Sequence, residues 1–383
     1  MNPVFFFFSL LCVVYAALLL YYRRSFIELP VFIPLPSNSE VSDSPPLLSI
    51  IVPARNEANN LPALLKSIQQ QTYPSQNFEV IVIDDHSTDD TAATAASFPC
   101  VKILVLKDFI GPEKLNSYKK KAIEIGIQHS TGELIVTTDA DCIVPPNWLS
   151  TISAFYQHKK ADFIVMPVSI NCSNRFIEIF QALDFMTLQG ITGAAVNKKF
   201  HSMCNGANLA YTRKAFDAVR GFEGIDLIAS GDDMLLMHKI YKWYPGSVHY
   251  LKTKEVIVNT SPVNSITDFF NQRIRWASKA DKYDDKRIFM VLLLVYLVNL
   301  LILVLPFWAA LSGNWNLFKN WLLLLLLKTA AELFFLYPVA EFFNKKGLLW
   351  WFPLAQPFHI FYTVVAGFLG KFGKYEWKQR QVR

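Results

Sequence analysis

The chain reads as an α/β domain set between membrane-spanning segments, and three observations predict that class. Apolar, β-branched runs alternate with helically spaced ones from residue 47 to residue 141, the pattern of a parallel α/β sheet. Long apolar stretches lie toward both ends of the chain. Polar clusters fall directly behind three of the predicted strands, the place where ligands of open α/β sheets bind.

The flanks are justified by composition. The 383 residues are 52% hydrophobic and only 18% charged, too apolar for an ordinary soluble enzyme. Val4 to Tyr22 is apolar except for Ser9 and ends in Arg23-Arg24, long enough to span a bilayer. Positive charge follows the run, whereas a signal peptide carries it in front. The positive-inside rule then puts the N-terminus outside and residue 23 onward in the cytosol. Toward the other end, Ile288–Leu311 and Trp321–Ala340 read as spans, the second carrying Lys328 and Glu332 on one helical face. Leu348–Gly370 is a third apolar stretch, interrupted by Pro353 and Pro357. Three full spans would put the tail outside, yet Lys371, Lys374, Lys378, Arg380 and Arg383 mark it as cytosolic. A proline-broken, interfacial or re-entrant start to the third segment is therefore expected.

The net charge of +6 gathers beside the membrane segments, which suits anionic lipid head groups. No basic stripe with interleaved aromatics suggests nucleic acid. The five cysteines show no CxxC pair and are expected to be reduced and structural.

Between the flanks, a Pro/Ser-rich linker (Pro34 to Pro46) leads to the strand Leu47–Val52, followed by Pro53-Ala54-Arg55-Asn56-Glu57. Leu61, Leu64, Leu65 and Ile68 predict a helix, with Asn60 as its N-cap. The strand Phe78–Ile83 ends in Asp84-Asp85-His86-Ser87-Thr88-Asp89. An Ala-rich helix, the strand Val101–Leu106 and a Lys-rich helix near Ser117–Ile127 lead to Leu134–Thr138 and then Asp139-Ala140-Asp141.

That last triplet can hold a hard divalent cation that in turn holds a diphosphate; it also suits a surface turn. Three polar clusters converging on one sheet edge make a ligand crevice. An acidic crevice repels a bare diphosphate, so phosphate binding there requires a metal. There is no GxGxxG and no Walker lysine motif. Asn205-Gly206-Ala207-Asn208 reads as a polar turn before a helix over Arg213–Val219. Gly231-Asp232-Asp233 precedes Met234 to Met237, so either aspartate can cap a helix, and either can serve as a general base. Gln272, Arg275 and Trp276 share one face of a helix beside the membrane; an interfacial helix with an aromatic anchor is the plain alternative.

Taken in order, Pro53-Ala54-Arg55-Asn56-Glu57, Asp84 to Asp89, Asp139-Ala140-Asp141, Gly231-Asp232-Asp233 and Gln272-x-x-Arg275-Trp276 resemble the inverting nucleotide-sugar glycosyltransferases of family 2. The similarity runs from about Leu47 to Lys279 and points to the membrane-integrated branch of cellulose, chitin and hyaluronan synthases and ceramide glucosyltransferase. The resemblance implies a GT-A domain (Rossmann-like, of the nucleotide-diphospho-sugar transferase type) with one N-terminal and two to three C-terminal transmembrane helices. The implied layout is a transmembrane helix over 1–24, a linker over 25–46, a cytosolic GT-A domain over 47–265, an interfacial helix over 266–287, a transmembrane region over 288–370 and a basic cytosolic tail over 371–383.

The resemblance also implies roles. Pro53, Glu57 and Asp85 would line the nucleoside pocket. Lys119 would be the basic residue of the helix before the metal motif, although Tyr118 stands where many relatives have Gly. Asp139 would lie near the nucleotide, and Asp141 would ligate Mg²⁺ or Mn²⁺. Asp233 would be the catalytic base, with Asp232 replacing the usual Glu. Gln272, Arg275 and Trp276 would sit near the acceptor and the diphosphate. The implied activity is transfer of a sugar from a nucleotide-sugar donor, with UDP the expected nucleotide, to a hydroxyl of a lipid or lipid-linked acceptor. The implied partners are the donor, a lipid or polysaccharide acceptor and the membrane, with no nucleic acid. A processive polysaccharide synthase is the alternative, which the short C-terminal membrane region argues against. A non-catalytic subunit would be expected to have lost one of these residues, and a nucleotidyl or phosphoryl transferase would not need Asp233 and Gln272–Trp276 together.

Overall fold

The computed structural model describes residues 3–34, 44–111, 115–200, 203–228, 230–278, 285–373, 375–377 and 380–382. Most of the expected linker, the connection 279–284 and parts of the basic tail lie outside the described residues. The chain forms two compact units. One comprises Leu29–Asn171 with Ala195–Ser261, and the other comprises Met1–Glu28, Cys172–Ala194 and Pro262–Arg383. The first does not coincide with the contiguous stretch 47–265, because residues 172–194 leave it for the second unit.

The first unit is built on a seven-stranded sheet. In chain order it contains β1 (Leu48–Ala54), α2 (Leu61–Gln69), β2 (Phe78–Asp84), α3 (Thr91–Ala96), β3 (Val101–Val105), α4 (Tyr118–Gln128), β4 (Leu134–Thr137), β5 (Cys142–Ile143), α5 (Trp148–Lys159), β6 (Phe163–Val165) and β7 (Val168–Ile170). After the segment carried by the other unit come β8 (Leu209–Thr212), α7 (Arg213–Ala218), α8 (Met234–Trp243), β9 (Val248–Tyr250) and β10 (Val258–Thr260). The numbering leaves α1 for the chain's first helix, Pro3–Glu28, and α6 for Phe176–Asn197.

The strand order is β3-β2-β1-β4-β8-β6-β9. β1 pairs in parallel with β2 on one side and β4 on the other, so the order reverses beside β1. Ligands of α/β sheets bind at such a switch point. The sheet is mixed where a parallel one is expected: β8 runs antiparallel to both β4 and β6. The sequence shows no period for this, since the β8 run is only four residues and pairs with strands far away in the chain. β5, β10 and β7 make a second small sheet beyond β4.

Two helices are pinned close to the site. A Cβ on Gly126 of α4 would stand 2.7 Å from Ile83 Cδ1 and 2.8 Å from Ile51 Cγ2, so the helix lies directly on β1 and β2. On its other side, the buried Lys120 donates from Nζ to the carbonyls of Ile225 and Ile228, tying α4 to the segment before Gly231. α2 begins where expected, but Asn60 makes no side-chain cap bond; its amide donates instead to Glu57 Oε2 at 2.7 Å. Asn208, fully buried, joins three elements: its Oδ1 accepts from Trp148 Nε1 at 2.9 Å and its amide donates to the carbonyls of Pro167 and Val256 at 2.8 Å each.

The second unit is helical. It holds α1, most of α6, α9 (Ile266–Ala277), α10 (Lys286–Leu311), α11 (Trp315–Phe342), α12 (Phe352–Phe372) and a terminal hairpin of β11 (Tyr375–Trp377) and β12 (Arg380–Val382). Among the described residues, four helical segments are long and apolar enough to cross a membrane: Phe6–Glu28, Lys286–Leu311, Trp315–Phe342 and Lys346–Phe372. Three of these candidate segments lie toward the C-terminal end, the upper end of the expected two to three.

The third one is not broken by its prolines. It opens as a 3₁₀ stretch, Lys346–Trp351, and continues as an unbroken α-helix through Pro353 and Pro357. Pro353 lies in the first turn, where a missing N–H costs nothing. The charged pair in α11 is mutually neutralised: Lys328 Nζ stands 2.7 Å from Glu332 Oε1, and Tyr15 and Gln356 add hydrogen bonds to Glu332.

Two outcomes test this packing. Asn208→Ala strands an indole N–H and two carbonyls in the core, so it should lower unfolding stability by about 3 kcal/mol, read from thermal or urea melts. Lys252 is buried beside the Leu29 carbonyl, and burial pushes its pKa down to about 8. An unfolded lysine titrates near 10.4, so between these values the unfolded chain binds the extra proton and stability rises with pH. Melting curves from pH 7 to 10 should show that rise in the wild type, and Lys252→Met should flatten it.

Candidate active site

The site grows from the loops at the carboxyl ends of β1, β2 and β4. Near the end of β1, Pro53 is half-buried and pairs in register with Ile83 of β2. Arg55 reaches across to donate from Nη1 to the carbonyls of Asp85 and His86, at 3.1 and 3.2 Å. Asn56 takes a positive φ of 53°, which a short polar side chain tolerates, and its Oδ1 accepts from the Thr88 backbone at 2.8 Å. The Glu57 backbone N–H is held by Thr91 Oγ1 at 2.8 Å. These bonds tie the loop after β1, which carries Glu57, to the segment after β2, which carries Asp85.

Behind β2, Asp84 and Asp85 are both buried. Asp85 Oδ1 meets His86 Nδ1 at 3.0 Å, and the His86 ring packs edge-on against Tyr118 with centroids 5.4 Å apart. Tyr118 thus has an aromatic partner. Asp84 is the less expected residue: its Oδ1 is buried and meets no hydrogen-bond donor among the described residues.

The densest cluster lies behind β4. Lys119, on the first turn of α4, donates from Nζ to Asp139 Oδ1 at 2.7 Å and stands 3.3 Å from Asp232 Oδ2. Burial alone would pull the Lys119 pKa down, but the carboxylates of Asp139, Asp232 and Asp233 together outweigh it and raise it, so the ammonium stays charged at neutral pH. Its side chain is 24% exposed, neither sealed off nor fully solvated, and so within reach of a ligand.

Asp233 starts α8 as its N-cap, Oδ1 accepting from the Met234 backbone at 2.7 Å. Its Oδ2 accepts from Gly206 N at 3.2 Å. The capping reading is therefore satisfied, yet each carboxylate oxygen keeps a further lone pair for another donor. Gly206 also accepts from Thr137 Oγ1 at 3.1 Å. A Cβ at Gly206 would stand 3.1 Å from Asp232 Oδ2 and 3.5 Å from Lys119 Nζ. The turn Asn205-Gly206 is thus the floor of the cluster, a role its sequence shows only as a polar Gly-containing quartet.

Asp141 points toward the smaller sheet, where its Oδ2 accepts from Thr260 Oγ1 at 3.3 Å. Among the described residues no group of three or more His, Cys, Asp or Glu is placed to hold a metal. Asp139 and Asp141 supply hard oxygen donors that suit a Mg²⁺- or Mn²⁺-type ion whose remaining positions are filled by substrate phosphate and water. The burial of Cys142, with Asp141 and Asp139 beside it, pushes its thiol pKa well up, so it is not a thiolate ligand at neutral pH.

Lys119, Asp139, Asp232 and Asp233 are therefore brought together, while Pro53, Glu57 and Asp85 sit in the adjoining locked loops. Gln272, Arg275 and Trp276 belong to the helical unit. They lie half-buried on α9, whose N-terminus is capped by Ser265.

The mixed α/β sheet with acidic loops at its switch point fits a GT-A fold. Residues 49–220 match the family described as Glycosyl transferase family 2. The fold is also that of a mannosyltransferase from Pyrobaculum calidifontis solved with GDP-Man and Mn²⁺, at 19% identity, TM-score 0.52, and coverage of 94% of this chain and 99% of that one. Among curated proteins, Glycosyltransferase AglE of Haloferax volcanii is 36% identical over 112 residues, 28% of this chain and 36% of that protein. The 4,4'-diaponeurosporenoate glycosyltransferase of Staphylococcus aureus is 33% identical over 146 residues, 38% of this chain and 37% of that protein. The chain thus spans little more than a third of the length of these two relatives.

If Gly206 is the floor of the cluster, Gly206→Val should push Asp232 from Lys119 and cost roughly 1–3 kcal/mol as overpacking does. At a plain surface turn the same substitution would change the unfolding free energy from denaturation curves by no more than about 0.5 kcal/mol.

Proposed function

We propose that the protein is a membrane-integral inverting glycosyltransferase that moves one sugar from a nucleotide-sugar donor to a hydroxyl of a lipid or lipid-linked acceptor. The observation that carries this reading is the Lys119 cluster. It joins the carboxylate expected beside the nucleotide, Asp139, to the Asp232-Asp233 pair expected at the reacting carbon. The family match over 49–220 and the glycosyltransferase names of the relatives support the same reaction class.

In this reading Pro53, Glu57 and Asp85 line the nucleoside pocket, and the buried Asp84 oxygen is a further acceptor at its edge. Asp233 rather than Asp232 is the base, because Asp232 is engaged by the Lys119 ammonium whereas Asp233 meets only backbone N–H groups in the described bonds. Asp233 accepts the proton of the acceptor hydroxyl as that oxygen bonds to the anomeric carbon. The bond from that carbon to the diphosphate oxygen breaks on the opposite face, its electron pair leaving with the nucleoside diphosphate, so the configuration inverts. A Mg²⁺ or Mn²⁺ ion held by Asp141, with Asp139 nearby, would supply charge neutralisation for the diphosphate. Lys119 keeps Asp139 oriented, and Arg275 contributes fixed positive charge toward the leaving group. Gln272 and Trp276 serve the acceptor.

The four long apolar helices support membrane integration, and the basic residues flanking them support a cytosolic catalytic domain. The S. aureus relative, named for a diaponeurosporenoate, favours a lipid-type acceptor over a growing polymer.

Membranes or detergent-purified protein should release nucleoside diphosphate from one of a panel of nucleotide sugars, dependent on Mg²⁺ or Mn²⁺. Asp141→Ala and Asp233→Asn should each lower that rate at least about 100-fold; full activity in both would overturn the assignment. Radiolabelled product should run as a single glycolipid, and a ladder of long saccharides would instead support the polymerising alternative.

A further inference from the structure

Within the helical unit, the residue between the expected functional groups of α9 is itself the most constrained. Arg273 is buried, with its side chain and that of Asp184 each 4% exposed. It donates to Asp184 Oδ2 twice, from Nε at 3.0 Å and from Nη2 at 2.7 Å. The other Asp184 oxygen accepts from the Tyr362 hydroxyl. One carboxylate of α6 thereby ties α9 to α12. The third arm of the guanidinium is not used in this tie: Nη1 donates to Gln272 Oε1 at 2.6 Å. The guanidinium plane lies over the Trp276 ring at 4.3 Å and the Phe269 ring at 4.6 Å, and Phe185 closes on Trp276 from α6 with centroids 6.2 Å apart.

We infer that Arg273 is a positioning residue: anchored by Asp184 and Tyr362, it fixes the amide orientation of Gln272 and the seat of the Trp276 ring. A guanidinium only donates, so the Gln272 oxygen must face it and the amide NH₂ must face away. Gln272 therefore presents two donors, and the group it takes is a hydrogen-bond acceptor such as a sugar hydroxyl oxygen or a phosphate oxygen. This inference rests on the glycosyl-transfer reading above.

The alternative is that the Asp184–Arg273 pair only holds the bundle together. Breaking one partner of a buried pair destabilises whatever its role, but replacing the whole pair by apolar residues is often neutral or stabilising. The triple variant Asp184→Leu, Arg273→Met and Tyr362→Phe removes every polar partner of the tie at once. It should melt close to the wild type, yet its kcat for transfer should fall about 100-fold, with the donor KM changed by less than about threefold.

Arg273→Lys keeps a charge beside Asp184 but loses the planar fork, and it should also keep its melting temperature and lose rate. It decides the matter if the triple variant does not fold. Wild-type kcat in a folded triple variant, or in Arg273→Lys, overturns the inference, as does a rate loss that only follows a fall in melting temperature across both variants. A wild type that releases no nucleoside diphosphate from any donor overturns the preceding reading and this one with it. An active wild type with active variants overturns this one alone.

Discussion

Negative charge gathered at the end of a sheet has to be balanced, and Lys119 does that for the first unit. Asp139 leaves β4, while Asp232 and Asp233 arrive at the start of α8, about ninety residues later in the chain. Unbalanced carboxylates at such separations repel, and each would hold the loops apart. The ammonium between them turns repulsion into a joint, and α4 can deliver it only because Gly126 lets the helix lie on β1 and β2 and because Lys120 secures the loop that carries Asp232. Adjacent lysines thus have different tasks: one faces the acidic crevice and one braces the backbone behind it. Once the three carboxylates are collected in this way, the crevice is suited to an anionic substrate only in company with a cation.

The first half of this unit was legible in the sequence because its signals are local. β1, β2 and β4 are continuous β-branched runs, α2 and α4 follow helical spacing, and the polar clusters sit directly behind the strands that position them. The return of β8 between β4 and β6 was not legible, because antiparallel pairing with a distant strand leaves no period in four residues. For the same reason Gly206 read as an ordinary turn: only β8 pairing beside β4 brings it under Asp232 and Lys119. Asn60 shows a different limit. Its position at the start of α2 is right, but Glu57, three residues before it, offers its amide a charged acceptor and wins over the helix end. Lys119 was legible through the family resemblance rather than through the residues alone, and the tyrosine before it is accommodated because His86 turns its ring to meet it.

In the helical unit, composition located the long apolar helices, but the spacing of Pro353 and Pro357 pointed to a break that does not occur. A proline in the first turn of a helix loses no bond, and one a single turn later removes only one. Apolar packing discriminates little between uniformly apolar helices, so polar side chains carry much of the specificity of their association. Here α12 is the shared member of two polar ties: Gln356 joins it to Glu332 and Lys328 of α11, with Tyr15 of α1 completing the set, and Tyr362 joins it to Asp184 of α6.

Those two ties separate a structural ionic group from one that acts beyond itself. In the α11 tie, the Lys328 ammonium and the Glu332 carboxylate face each other, and the Gln356 amide bridges them, its oxygen taking from the lysine and its nitrogen giving to the glutamate. The described bonds of the two charges close on one another, which is what neutralisation of charge inside an apolar bundle requires. In the α6 tie the carboxylate takes two guanidinium donors on one oxygen and a phenol on the other, and the guanidinium still has an N–H to spare. The surplus falls on Gln272, a side chain with no part in joining the helices. An arginine that served packing alone would leave that surplus to a carbonyl or to solvent; this one directs it at the first residue of the Gln-x-x-Arg-Trp set while its face carries the last. The constraint that assembles the helices and the constraint that orients the motif are then the same side chain.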